Sequence, residues 1–458
     1  MKSIPATIEF LTPVHVGSGE SISPFEYFIK DSYLQKVNMN LFMLSLNSDK
    51  QQELMNSLDR LPNDNELIKI RNFLGDNSNE NTIDFKIKVT PAIQKEFSLK
   101  IENLENRLEV ILFPNHGIKR QPLIPGSSIK GALRTAIVNH FVQEKITKEG
   151  EGYKNLFLIE KDDRGKDKRN NNIIHFEKNL FGYKDAKEDF FRAVKLPDIP
   201  LDADKTEIIE SRIYHLKRRE DGVPIKMEVS TSQLSNPLQS KKYNFSFLFN
   251  SDFASASKKT NLRNFRVQNE FSLIQLGNAS NLFYFQALDY ELRKFYSDLQ
   301  RFSNLNYLRE LRKKIQPDQF LIRLGRFGHV ESKTVDIIRN PKTKKGWGRT
   351  RTLANDQYPL GWAIITIPGM EFAAIPGNLP EPTGIGGGYK EDTRIVREAT
   401  SNNPQTPRGN ENRPKPQQGS GYNQETKKDF GNKSNPSSPQ TGSGHFNQLK
   451  NINKDKKK

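Results

Sequence analysis

The last 58 residues of this 458-residue chain, 401–458, are too poor in apolar side chains to build a core of their own. They hold five large apolar residues against six prolines and six glycines, in a background of Asn, Gln, Ser and Lys. Such a segment cannot offset a backbone entropy cost of about 1–2 kcal/mol per residue. We therefore expect a folded region over 1–390 and a disordered, basic, Pro/Gly/Asn-rich tail over 391–458.

The composition excludes several classes of protein. The chain has no cysteine, which removes disulfides, thiolate zinc sites, iron–sulfur clusters and thiol nucleophiles. No apolar run approaches about 20 residues, and the alternating N-terminal sequence does not resemble a secretion signal. The seven histidines are far apart and form none of the common ligand pairs. We expect a cytoplasmic protein with no membrane span, no metal site and no cofactor.

The net charge of the chain is +17, of which 401–458 carries +7, so +10 remains on the first 400 residues. The net positive charge of the first 400 residues therefore suggests a polyanionic partner, most often a nucleic acid.

The pattern of the first 390 residues mixes strands and helices without regular alternation, which is typical of the α+β class. Helices are expected after Asn38, after Ser127 or Ser128, and over 282–299, and a hairpin is expected around Asp31 and Ser32. The polar insert 161–172 has no apolar residue and predicts a mobile loop. The expected strands are 6–16, 83–89, 108–113, 187–196, 206–216, 243–248, 320–324 and 362–367.

The clearest motif is the segment LIPGSSIKGALRTA at 123–136. A Pro-Gly turn precedes Ser127 and Ser128, either of which can cap a helix. Lys130 and Arg134 are four residues apart, so they lie on one face of that helix. They are either two solvated cations or a pair that faces a phosphate chain at the helix N-terminus. The glycine spacing is not that of a P-loop.

A glycine-containing loop, HVGSG, directly follows the first predicted strand. Gly17 and Gly19 would let the backbone approach a phosphate closely, with His15 and Ser18 beside them. An ordinary turn is the alternative interpretation of so short a motif.

Cations and aromatic residues alternate between 323 and 362, where Lys333, Arg349 and Arg351 accompany Phe327 and Trp347. This pattern suits single-stranded RNA, because phosphates attract cations and unstacked bases need an aromatic face. A charged surface loop between two strands is the alternative. The sequence predicts no catalytic residue. A histidine in the HVGSG loop or in the segment 323–362 could still act as a general base.

Several of these segments together resemble the RAMP proteins of type III CRISPR effectors. They are TPVHVGSGE at 12–20, IPGSSIKGALRTA at 124–136, and the later GRFGHVESKT, RTRTL and PLGW. The last three are most similar to the fifth-subunit family of the type III-A (Csm) complex, which caps the crRNA 3′ end. The resemblance covers about residues 1–390 and leaves the tail outside.

The resemblance implies an RRM-like (ferredoxin-like) RAMP core with large insertions. It also implies a non-catalytic crRNA-binding subunit that is needed for crRNA 3′ maturation in antiviral defence. The implied partners are crRNA, the backbone RAMP subunit and the small subunit of the Csm complex, and host nucleases. A metal-independent RAMP endoribonuclease that processes precursor crRNA with a histidine base is the alternative. The expected RNA-binding residues are His15, Gly17, Ser18, Gly19, Ser127, Ser128, Lys130, Arg134, Lys333, Arg349 and Arg351.

Overall fold

A computed structural model describes residues 2–60, 64–98, 109–117, 120–149, 157–161, 165, 167–170, 173–181, 183, 185–215, 224–230, 241–250, 272–335 and 350–379. All of these residues belong to one unit, Met1–Gly387. The tail expected over 391–458 and the candidate RNA contact Arg349 lie outside the described residues.

Both helices and strands occur throughout the described ranges. The strands are β1 Lys2–Phe10, β2 Ser21–Ile22, β3 Tyr27–Lys30, β4 Tyr33–Val37, β5 Ile83–Val89, β6 Val110–Ile111, β7 Asn115–His116, β8 Gln121–Ile124, β9 Leu158–Lys161, β10 Asp167–Asn170, β11 Val194–Lys195, β12 Ile199–Pro200, β13 Thr206–His215, β14 Ile225–Ser230, β15 Lys242–Phe249, β16 Gln319–Arg323, β17 Thr350–Ala354, β18 Tyr358–Pro359 and β19 Trp362–Thr366. The helices are α1 Met39–Ser45, α2 Ser48–Asp59, α3 Asp64–Asn77, α4 Pro91–Ser98, α5 Gly126–Glu149, α6 Ile173–Phe181, α7 Leu273–Lys294, α8 Asn306–Arg309, α9 Leu311–Lys314 and α10 His329–Lys333.

One antiparallel sheet of five strands, sheet A, has the order β11-β15-β1-β19-β16. Its central strand β1 alternates so that Ala6, Ile8 and Phe10 are buried. The apolar faces of α5 and α7, which include Ile129 and Leu288, share one hydrophobic core with this sheet. The α+β prediction is therefore confirmed at the level of mixed helices and sheets.

A second, mixed sheet, sheet B, has the order β2-β6-β14-β13-β5-β4-β3, and β17 pairs with β13 and β18. The pairs β13–β5 and β14–β6 are parallel. A separate hydrophobic cluster that includes Leu34, Ile87 and Ile208 packs under it. One strand of sheet B, β14, forms the hydrogen bonds that anchor the chain just before the glycine loop, as described below.

Local signals located the first hairpin and the first helix correctly. Asp31 and Ser32 have φ of 54° and 64°, as the type I′ turn of a two-residue hairpin loop requires, and they join β3 to β4. Asn38 caps α1 by accepting a hydrogen bond from the Leu41 amide. The helix expected to continue to about residue 58 instead ends at Ser45, because Asn47 caps a new helix, α2.

The strand expected over 108–113 is only Val110–Ile111, and the helix expected over 282–299 covers Leu273–Lys294. Three further sequence expectations need correction. The strand expected over 187–196 is a 3₁₀ turn, Phe190–Ala193, followed by the two-residue β11, because the Asp189 side chain accepts from the Phe191 amide and starts the turn. The first strand ends at Phe10, before the glycine loop. Part of the insert 161–172 is not a loop, since β10 pairs with β9 through main-chain bonds that need no apolar side chain.

None of the helices in the described ranges is both long and apolar enough to cross a membrane.

Candidate nucleic-acid interface

The chain after β1 is anchored to β14 before it reaches the surface. The Val14 amide donates to Ser230 Oγ at 3.1 Å, and the Ser230 amide donates to the Val14 carbonyl at 3.0 Å. The His15 Nδ1 atom is 2.7 Å from the Glu228 carbonyl oxygen. These bonds fix the position from which the glycine loop, residues 15–19, turns outward.

The glycine loop presents main chain to solvent in a defined shape. Gly17 and Gly19 are exposed, and Gly19 has φ of +86°, which favours glycine. The Ser18 hydroxyl donates to the Leu112 carbonyl at 3.1 Å and accepts from the Glu20 amide at 3.0 Å. The loop is therefore held by its serine while both glycines remain open to a ligand.

A second segment, the Arg326 loop (residues 325–334), packs directly on the glycine loop. The Arg326 amide donates to the His15 carbonyl at 3.0 Å. Gly325 has φ of +84°, and a Cβ there would lie 2.1 Å from the His15 carbonyl oxygen, so any side chain is excluded. The fold thus joins two motifs that are far apart in sequence into one surface, which we call the loop pair.

The loop pair carries exposed cations and a half-buried aromatic ring. Arg326 is exposed, and its guanidinium carbon lies 5.7 Å from the centroid of the Phe327 ring. The exposed Lys333 donates its ammonium group to the Arg326 carbonyl. Partial desolvation of that ammonium group, together with the nearby Arg323 and Arg326, lowers the pKa of Lys333 to about 8. Lys333 is therefore still mainly charged at neutral pH.

The structure thus brings His15, Gly17, Ser18, Gly19 and Lys333, which belong to two separate motifs of the sequence, close together. As RNA contacts these residues stay predictions. Two further members of this surface, Arg326 and Phe327, were not among the predicted site residues. The signal for them was the alternation of cations and aromatic residues that begins at 323.

Lys130 and Arg134 lie elsewhere and are engaged inside the protein. Arg134 donates through Nε to Glu177 at 2.7 Å and through Nη1 to Asp189 at 2.8 Å. Lys130 donates to the Val194 carbonyl at 2.7 Å. Both side chains are half-buried, and their partners come from segments packed against α5. The interpretation as two freely solvated cations is therefore corrected, and their contact with RNA stays a prediction.

The N-terminus of α5 also differs from the expectation. The helix begins at Gly126, whose amide donates to Asp198 Oδ1 at 2.8 Å, so neither Ser127 nor Ser128 is the cap. A Cβ at Gly126 would lie 2.2 Å from the Leu196 carbonyl oxygen. Ser127 is exposed and Ser128 half-buried, and as RNA contacts both stay predictions.

Arg351 is a buried cation. Its side chain is 1% exposed, and its Nε atom lies 2.5 Å from Glu291 Oε1 in α7. Arg323 Nη1 contacts the same carboxylate at 2.9 Å, and Trp362 Nε1 donates to its other oxygen at 3.3 Å. The assignment of Arg351 to RNA contact is therefore corrected. Its carboxylate partner Glu291, which is buried in α7, was missed.

Of the two histidines considered as bases, His15 is buried and His329 is half-buried, and both rings are neutral near pH 7. Burial and the Arg326 guanidinium lower the pKa of His15. Burial and the Arg323 guanidinium lower the pKa of His329 to about 3, and its Nε2 atom accepts from the Thr352 amide at 3.3 Å. A general base is most effective with a pKa near the working pH, so neither environment is tuned for that task.

Within the part of the chain that the structure describes, no group of three or more His, Asp or Glu residues is placed to hold a metal ion.

Comparison with known proteins gives consistent results. The chain is 25% identical over 231 residues to the CRISPR system Cms protein Csm5 of Methanocaldococcus jannaschii. This match covers 49% of the chain and 49% of that protein, so it spans about half the length of the curated relative.

Two solved structures share the fold. One chain of a cryo-EM structure of a Csm–crRNA–target RNA ternary complex from a type III-A CRISPR-Cas system matches with a TM-score of 0.53 at 14% identity. That match covers 80% of this chain and 100% of the other. The crystal structure of T. onnurineus Csm5 matches with a TM-score of 0.52 at 16% identity, covering 78% of this chain and 99% of that one.

The family model of the RAMP superfamily matches residues 7–332, a span that includes the glycine loop, α5 and most of the Arg326 loop. The chain therefore belongs to the RAMP superfamily.

Proposed function

We propose that this protein is a non-catalytic crRNA-binding subunit of a type III-A CRISPR ribonucleoprotein, which caps its backbone at the crRNA 3′ end and is needed for crRNA 3′ maturation. The observation that carries the proposal is the loop pair, in which an exposed glycine loop lies against Arg326, Phe327 and Lys333. Open backbone, cations and an aromatic face are the features that bind single-stranded RNA.

The RRM-like core of the proposal is sheet A with α5 and α7. The order β1, α5, β11, β15, α7, β19 along the chain is a β-α-β-β-α-β sequence, and these strands lie in the sheet order β11-β15-β1-β19. This order supports the proposed ferredoxin-like core, to which β16 is added as an edge strand. Sheet B and the α1–α4 segment are then the large insertions.

The proposed partners follow from the relatives. One structural neighbour belongs to a Csm–crRNA–target RNA complex, and the curated relative is a Csm5 protein. We extend this to crRNA, the backbone RAMP subunit and the small subunit, with host nucleases acting at the exposed RNA end in the cytoplasm.

Binding to single-stranded RNA is expected to weaken steeply with salt. Each phosphate contact on a single strand releases about 0.7 counterion, so the logarithm of the affinity should fall linearly with the logarithm of the salt concentration. Fluorescence anisotropy with a labelled RNA across a salt series measures the slope. A slope near zero would contradict the electrostatic basis of the proposal.

The capping role predicts one copy of this subunit per guide RNA. Native mass spectrometry of the reconstituted complex counts the copies, and a photo-crosslinker placed at Lys333 reports the nearest RNA end. We expect a single copy and crosslinks near the crRNA 3′ end. Several copies per guide, or crosslinks confined to the 5′ handle, would assign the chain to another position in the complex.

The alternative, a metal-independent endoribonuclease, is favoured by one observation: the described residues supply no hydrogen-bond partner for the Nε2 atom of His15. The lowered pKa of that ring argues against a strong base. Incubation of the purified protein with repeat-containing RNA in EDTA separates the two functions. A discrete cut that disappears in His15→Asn would establish the enzyme, and intact RNA is expected from the proposed function.

A further inference from the structure

The His15 ring carries a buried hydrogen-bond acceptor that no described residue satisfies. Because the Glu228 carbonyl can only accept, the Nδ1 atom at 2.7 Å must carry the proton. In the neutral ring, Nε2 is then an acceptor with a free lone pair. The side chain is 1% exposed, and none of the described residues forms a hydrogen bond with Nε2.

Neighbouring groups hold the ring in place. The Phe113 and Phe327 rings each lie 6.2 Å from the His15 ring, centroid to centroid. The ring is thus fixed by two aromatic neighbours and one hydrogen bond, and its acceptor cannot easily turn toward another protein group.

Gly17 is the residue of the glycine loop that faces this buried acceptor. A Cβ built on Gly17 would lie 3.9 Å from His15 Nε2, with no other heavy atom beyond its chain neighbours within 4 Å. Gly17 itself is exposed, and its φ is not in the left-handed region. Glycine at this position is therefore not required by backbone geometry.

A buried acceptor without a donor is unfavourable, so a ligand that supplies a donor gains affinity there. The 2′-hydroxyl is the donor that distinguishes RNA from DNA. We propose that His15 Nε2 accepts a hydrogen bond from the ribose 2′-hydroxyl of a nucleotide bound at the glycine loop. His15 is then the residue by which this surface prefers RNA to DNA. This inference rests on the proposed RNA-binding function.

Two variants remove the contact in different ways. His15→Asn keeps an amide donor near the Nδ1 position for the Glu228 carbonyl but deletes the acceptor at Nε2. Gly17→Ala keeps His15 and places a methyl group over Nε2 at ordinary van der Waals distance. Gly131→Ala is the matched control, because Gly131 is exposed in α5 and a Cβ there meets nothing within 4 Å.

The probes are one labelled single strand in three forms: RNA, 2′-deoxy and 2′-fluoro. The fluoro form keeps a ribose-like sugar pucker without a hydroxyl donor. Wild type and Gly131→Ala should prefer RNA to both other forms by about five- to tenfold, the value of one hydrogen bond. His15→Asn and Gly17→Ala should lose this preference and bind the RNA, deoxy and fluoro forms with equal affinity, whatever their overall affinity.

The outcomes distinguish a failure of the inference about His15 from a failure of the proposed RNA-binding function. An unchanged RNA preference in both variants overturns the role of His15 and leaves RNA binding intact. Failure of wild type to bind any of the strands overturns the proposed function. If His15→Asn does not fold, Gly17→Ala alone decides the question.

Discussion

Replacing Glu291 by glutamine is expected to lower the free energy of unfolding by about 3–5 kcal/mol, the usual cost of breaking a buried ion pair. The carboxylate contacts Arg323 at 2.9 Å and Arg351 at 2.5 Å, and all three side chains are 1% exposed. After the change, the carboxylate of Glu331, 3.3 Å from Arg351, is left to balance two buried guanidinium groups. Denaturant unfolding measures the loss.

Glu310→Gln is the matched control for this prediction. Glu310 is 47% exposed and pairs at 3.5 Å with Lys313, which is 77% exposed. Surface pairs of this kind contribute at most about 1 kcal/mol. Equal stabilities of the two variants would show that Glu291 does not organise the buried cluster.

The effect of Glu291 should also depend on pH. Burial alone would raise the pKa of Glu291, but the guanidinium groups of Arg323 and Arg351 outweigh burial and hold the pKa below its ordinary value. The charged form therefore stabilises the fold above the ordinary carboxyl pKa, and this contribution is lost as the pH falls through the lowered pKa. The difference between wild type and Glu291→Gln should be constant near neutral pH and shrink in strong acid.

Local features of the fold could be predicted because their causes lie within a few residues of one another. The turn at Asp31 and Ser32 depends on its own backbone angles, and the cap at Asn38 depends on an amide three residues away. The glycine loop was identified for the same reason, since Gly17 and Gly19 belong to one short motif.

The state of each cation could not be predicted, because it depends on partners distant in sequence. Arg134 meets Glu177 and Asp189, which lie 43 and 55 residues further along the chain. Arg351 meets Glu291 in another element. Spacing on one helix shows that two cations share a face, but it does not show whether carboxylates from elsewhere cover that face.

This distinction changes the interpretation of the late motifs. Arg351 of RTRTL and Trp362 of PLGW both contact Glu291, and Arg323 of the same cluster lies two residues before Gly325. The cluster therefore supports the start of the Arg326 loop from inside the protein. We infer that these motifs affect RNA binding by positioning that loop, while the contacts with RNA belong to the exposed side chains.

The double reversal Arg326→Glu and Lys333→Glu is expected to weaken binding of single-stranded RNA by about 100-fold, since each lost charged contact is worth about tenfold. Both side chains are exposed, so the unfolding transition should stay close to that of wild type. Two fewer phosphate contacts should also reduce the salt slope by about 1.4. Anisotropy titrations at several salt concentrations measure both quantities.

The control is Lys313→Glu with Lys314→Glu, which changes the net charge by the same amount on exposed residues of α9. If long-range charge alone governed binding, the two double variants would weaken it equally, and the loop pair would not be the RNA-binding surface. A loss at the loop pair that greatly exceeds the loss at α9, with the reduced slope confined to the loop pair, is the result that a local phosphate contact requires.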